Sequence, residues 1–149
     1  MQQPWFALSQ VPPISVASLP EDFDIRRAAE RTRVLVVDDE SLITDTTCAI
    51  LNRNGFDASA AYSGEEAVEA ALKLLPGVVL IDVLMPRMSG VELAIRLRKD
   101  YPAMRVILFS GQLATSEMIH QAEAQGYSFE LFPKPIHPDE LIARLRTSF

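Results

Sequence analysis

Apolar positions along the chain follow two alternating rhythms. Short runs are apolar throughout: VLVV (34–37), VVLI (78–81) and VILF (106–109). Between them lie longer stretches in which apolar residues return every three or four positions. The first pattern marks a strand covered on both faces, and the second marks an amphipathic helix.

The pattern predicts strands at 33–37, 56–62, 78–82, 104–110 and 128–132, with 56–62 the weakest. Helices are predicted at 41–55, 63–75, 91–101, near 115–125 and at 139–149. Local stop and start signals sharpen several of these. Asn54-Gly55 ends the first helix, Pro76-Gly77 follows the second, and Gly126 ends the fourth. Ser63 with Glu66, and Ser89 with Glu92, have the spacing of a capping box. Ala67, Val68, Ala71, Leu72 and Leu75 share one face of the second helix. Pro138 suits the first turn of the last helix.

Strands and helices therefore alternate strictly, five of each, and the buried strands suit a parallel sheet. The expected fold is an α/β doubly wound sandwich. A chain of 149 residues is large enough for one such core.

Composition narrows the function. No apolar run approaches the ~20 residues of a membrane span. The opening MQQPWFALSQVPPISVASLP has neither a basic stretch nor a long apolar one, so a signal peptide is not expected. Cys48 is alone, which rules out an internal disulfide and fits a reducing, cytoplasmic setting. The net charge of −6 argues against direct nucleic-acid binding or an anionic membrane surface. Residues 1–33 carry four acids and four arginines, so the whole net charge falls on residues 34–149. Residues 1–32 are expected to be an N-terminal extension, in part a disordered arm and in part a short helix from about residue 20. Residues 33–149 are expected to form the folded domain.

In a doubly wound sheet the ligand site lies at the carboxyl ends of the strands. Strand one ends in Asp38-Asp39, strand three in Asp82, and strand four in Ser110-Gly111; strand five leads into Lys134-Pro135. Three carboxylates, a hydroxyl and an ammonium thus share one edge. Like charges a few Å apart repel by about 1 kcal/mol per pair in water and about 4 kcal/mol near a protein surface. A bound cation offsets that cost. Clustered carboxylate oxygens suit Mg²⁺, and a carboxylate can also act as a nucleophile toward a phosphoryl group. Taken singly, Asp38 and Asp39 could be helix-capping acids, Asp82 a turn residue, Ser110 a strand-end cap and Lys134 a surface lysine.

Taken together, VLVVDDE (34–40), VLIDVLMPRMSG (79–90), VILFSG (106–111) and FPKPI (132–136) resemble the receiver domains of two-component response regulators. The resemblance spans residues 33–149, and D-x-x-M-P-x-M-x-G from Asp82 to Gly90 is its most specific part. It implies a five-stranded parallel sheet in the order 2-1-3-4-5. It also implies that Asp82 is the phosphoacceptor, with Asp38, Asp39 and the Leu84 backbone carbonyl joining it around Mg²⁺. Lys134 would pair with phosphoryl oxygens across a cis Lys134–Pro135 bond, and Ser110 would be the switch hydroxyl. The implied partners are a sensor histidine kinase or a histidine phosphotransfer protein upstream, and a protein target on the face of helix four, strand five and helix five. The implied protein is a signalling switch rather than an enzyme.

One position departs from the family. Three residues before the lysine the family carries Tyr or Phe, and here stands Leu131. Phe129 and Phe132 are out of register, and Phe132 should face the side opposite Leu131. Leu84 and Gln112 occupy positions that tune phosphoryl lifetime in the family. Three alternatives follow. One is a receiver-like binding module that works without phosphorylation. Another is a piece of a larger regulator with an output domain, although nothing after the fifth helix points to one. The last is an aspartate-nucleophile phosphatase, disfavoured because Leu84 stands where its general acid is needed.

Overall fold

The computed structural model describes residues 31–111 and 116–147. Among them the elements run β1 (Arg33–Val37), α1 (Ser41–Arg53), β2 (Asp57–Ala61), α2 (Gly64–Leu74), β3 (Val78–Asp82), α3 (Gly90–Asp100), β4 (Arg105–Ser110), α4 (Ser116–Ala124), β5 (Glu130–Pro133) and α5 (Pro138–Arg146). The strands form one parallel sheet in the order β2-β1-β3-β4-β5. The expected fold class, a doubly wound three-layer sandwich with five strands and five helices, is the one observed. Residues 1–30 of the expected N-terminal extension, residue 112 and the last two residues of the expected final helix lie outside the described residues.

Alternate residues of each buried strand feed two separate cores, as the period of a strand requires. On one face Leu35, Val37, Val79, Ile81, Val106 and Leu108 pack with Ala67 and Ala71 of α2, Leu93 and Leu97 of α3, and Ile119 of α4. On the other, Val34, Val36, Leu80, Ile107, Phe109 and Phe132 pack with Cys48 and Leu51 of α1 and Leu141 and Leu145 of α5. Continuous apolar strands are therefore what a sheet between two helical layers demands.

The serine half of each predicted capping box forms, and the return bond from the glutamate carboxylate to the serine N–H forms in neither. Ser63 and Ser89 accept hydrogen bonds from the backbone N–H groups of Glu66 and Glu92. The Glu66 carboxylate, however, accepts from the N–H of Tyr62 rather than that of Ser63. At the sheet's other end Arg105 pairs with Glu130 through both carboxylate oxygens (2.6 and 2.7 Å) and donates to the last carbonyls of α5. The hydrogen bond from Arg105 holds the Glu130 carboxyl below its usual value, against the upward push of burial.

β5 begins two residues later and ends one residue later than the alternation of SFELF suggested. Phe129 precedes the strand, stacks flat on Tyr127 and lies under the Arg98 guanidinium. Phe132 points inward, edge-on to Phe109, while Leu131 on the opposite side is 44% exposed.

Candidate functional site

β1 and β3 lie side by side and end together, which brings Asp38, Asp39 and Asp82 to one place. Each offers a carboxylate oxygen within 4.8 Å of the others. β4 and β5 deliver Ser110 and Lys134 to the same edge. The Lys134 ammonium reaches back over β4 and β3 to Asp38 Oδ2 at 2.8 Å and Asp82 Oδ1 at 3.3 Å. The Lys134 N–H also continues the ladder, donating to the Ser110 carbonyl. The peptide bond between Lys134 and Pro135 is cis.

Asp38 is only 3% exposed, and both its oxygens have partners. Oδ1 accepts from the Glu40 N–H at 3.0 Å, and Oδ2 takes Lys134. Oδ1 thus closes the turn after β1 and Oδ2 is tied to Lys134; the N-cap position of α1 is Glu40, so Asp38 is not the helix-capping acid that it could have been when taken singly. Asp39 is exposed, and Asp82 lies between these extremes. Burial pushes the Asp82 carboxyl above its usual value. The Lys134 charge opposes this, Asp38 and Asp39 add to it, and the net direction is upward. For Lys134 burial acts downward, but the hydrogen bond to Asp38 and the charges of Asp82 and Asp38 outweigh it and its pKa rises.

The acids open onto a cavity of about 640 Å³ that Leu84, Gly111 and Lys134 also line. Its lining is also in part apolar, with Ile43 and Ile50 of α1, Ile136 and Leu141. Two glycines shape the polar end. A β-carbon on Gly90 would collide with the Asp82 carbonyl oxygen, and one on Gly111 would lie 3.0 Å from Lys134 Cβ.

Three hard carboxylate oxygens in one concave, half-wet corner, with a single ammonium against them, fit a small divalent cation of the Mg²⁺ type. Asp38, Asp39 and Asp82 would hold it. Leu84 borders the same cavity. Ser110 ends β4 beside the strand that carries Asp82.

One contributor escaped the sequence reading. Thr44 is fully buried, and its hydroxyl sits 3.0 Å from the Asp38 carbonyl and 2.9 Å from that of Glu40. It fastens the start of α1 to the acid turn. A β-branched polar residue one turn into a helix that follows an acidic strand end was its available signal.

Residues 34–146 match the response regulator receiver domain. This chain belongs to that family. The receiver is 33% identical over 123 residues to the probable transcriptional regulatory protein TcrX of Mycobacterium tuberculosis, covering 82% of this chain and 52% of that protein. It is 30% identical over 116 residues to the DNA-binding response regulator MtrA of Mycolicibacterium paratuberculosis, covering 78% and 50%. The chain thus spans about half the length of the curated relatives it matches. Among solved structures, the chemotaxis protein CheY4 of Vibrio cholerae superposes with a TM-score of 0.70 at 26% identity, over 78% of this receiver and 97% of that chain. A two-component transcriptional regulator AraC from Clostridium phytofermentans superposes at 0.64 with 37% identity, over 77% and 89%. No helix among the described residues is long and apolar enough to cross a membrane.

Proposed function

We propose that this receiver is a phosphorylation-controlled switch in which Asp82 accepts a phosphoryl group from a phosphohistidine. The observation that carries the proposal is the convergence of Asp38, Asp39, Asp82 and Lys134 on one cavity edge. Family likeness alone would not say which residues act.

An Asp82 oxygen attacks phosphorus, a P–O bond forms, the P–N bond of the donor breaks and the imidazole nitrogen leaves with the bonding pair. Such a transfer depends on positioning and charge neutralisation more than on covalent chemistry by the protein. Mg²⁺ held by Asp38, Asp39, Asp82 and the Leu84 carbonyl would neutralise charge on the phosphoryl oxygens. Lys134, already 3.3 Å from Asp82, exchanges a carboxylate oxygen for a phosphoryl oxygen. Ser110 donates its hydroxyl to another.

The donor is a sensor histidine kinase or a phosphotransfer protein, in the cytoplasm. The output is a change in protein binding on the face of α4, β5 and α5. MtrA is named as DNA-binding, but over twice the matched length. The −6 charge of this chain supports a protein partner and no direct contact with nucleic acid. Leu131, exposed where the family carries an aromatic, favours a second reading, a binding module indifferent to phosphorylation.

Borohydride reduction after exposure to a phosphodonor separates the two. An acyl phosphate at Asp82 converts that residue to homoserine, which peptide mass mapping locates. Unmodified Asp82 under these conditions supports the second reading.

A further inference from the structure

We propose that Gly64 is a positioning residue for the acceptor loop. Its missing side chain forms the seat for Met88, and that seat holds the β3–α3 loop beside Asp82. The inference rests on the site assignment proposed above.

Glycine is the poorest ordinary helix former after proline, yet Gly64 is the first residue of α2. No left-handed backbone requires it there: the positive-φ glycines among the described residues are Gly55 and Gly126. The requirement is steric. A β-carbon on Gly64 would lie 2.7 Å from Met88 Sδ, 2.8 Å from Cβ and 3.0 Å from Cγ. Real β-carbons do not approach that closely, and a clash with Cβ cannot be relieved by turning the thioether alone. Met88 therefore rests on the bare backbone of α2, and a methyl group there would lift it off.

Met88 belongs to the loop that matters most. Residues 83–89 join the acceptor strand to α3, and the loop closes through the Gly90 N–H to the Val83 carbonyl at 2.9 Å. Leu84 lines the acidic cavity from this loop. Arg87, next to Met88, has φ of +68°, a left-handed conformation that non-glycine residues adopt only when their surroundings impose it. Met88 packs against the larger core, and Arg87 faces Glu65 of α2 at 3.9 Å. That ion pair is exposed at both ends and contributes little. The Gly64–Met88 seat is thus a close, apolar contact between α2 and the strained loop.

The test is a substitution cycle with wild type, Gly64→Ala, Met88→Gly and Gly64→Ala/Met88→Gly. Met88→Gly removes the three atoms nearest to the new methyl. Mg²⁺ affinity by titration calorimetry is the primary readout, because a helix-start role alone would not move it. The metal-free thermal midpoint is recorded alongside, and acetyl phosphate uptake separately. Gly64→Ala is expected to weaken Mg²⁺ binding at least fivefold. In the Met88→Gly background the same change is expected to shift it less than twofold.

Equal losses in both backgrounds, or wild-type affinity in Gly64→Ala, overturn the inference. Should Gly64→Ala not fold, Met88→Ala empties the seat without crowding it, and unchanged Mg²⁺ affinity there overturns it too. Wild-type protein that binds Mg²⁺ but takes no phosphoryl group removes the functional reading and leaves the cycle decisive for the seat. Wild-type protein that binds no Mg²⁺ overturns both.

Discussion

The Lys134 ammonium lies 2.8 Å from Asp38, a residue 96 positions earlier in the chain, and closer to it than to Asp82 at 3.3 Å. The lysine is therefore the counter-ion of a buried acid before it is anything else. It bridges two of the three clustered carboxylates, Asp38 and Asp82, and stands within reach of whatever is attached to Asp82.

Lys134→Met leaves Asp38 buried beside two other carboxylates without a cation. Because Lys134 is still partly open to water, the expected loss is about 1–3 kcal/mol, below the full cost of breaking a buried pair. Urea unfolding measures it, and millimolar Mg²⁺ should recover part of it. A variant as stable as wild type without metal would show that the pair does not hold the acids.

Asp82→Asn removes one of the repelling charges and keeps the shape. Burial and the Asp38 and Asp39 charges already raise the Asp82 carboxyl, so the neutral amide suits its place. Stability should stay level or rise by up to about 1 kcal/mol. A loss beyond about 2 kcal/mol, large for a single substitution, would make Asp82 a structural residue instead.

Much of this arrangement was legible in the sequence. Strands β1, β3 and β4 announce themselves because burial on two faces leaves no polar alternation. Ser63 and Ser89 mark helix starts because a hydroxyl acceptor is needed there. The clustering of Asp38, Asp39, Asp82 and Lys134 follows from where parallel strands end. Other features depend on contacts that no local pattern encodes. SFELF alternates like a strand from Ser128, but Phe129 is drawn out of the sheet by Tyr127 and Arg98. The edge strand runs instead to Pro133, whose missing N–H an edge tolerates. That Lys134 prefers Asp38 to Asp82 is a matter of side-chain reach over two intervening strands.

Cys48 supplies a pH dependence. Burial, and then the nearby Asp45 charge, raise its thiol from 9.0 to about 11. The folded protein therefore keeps this proton where the unfolded chain has begun to lose it. Its contribution to stability is fully present below pH 9 and is lost as pH rises from about 9 toward 11. In Cys48→Ala the decline in stability over that window should be shallower, and native wild type should react slowly with a thiol reagent at pH 8. Fast reaction, or an unchanged slope in the variant, would contradict the buried thiol.

Gly90→Ala should be among the most damaging single changes. The added methyl meets the Asp82 carbonyl and the Val83 backbone, which cannot rotate away. A loss of about 2–3 kcal/mol is expected from overpacking. Thermal unfolding of the variant checks it, and a midpoint equal to wild type would mean that the loop is looser than described.

The most direct test of the central claim is intact mass after incubation with acetyl phosphate and Mg²⁺, beside Asp82→Asn and an EDTA control. The account predicts one added phosphoryl group in the wild type and none in either control. A wild type that stays unmodified across a time course from seconds to hours, with its fold intact, would contradict it.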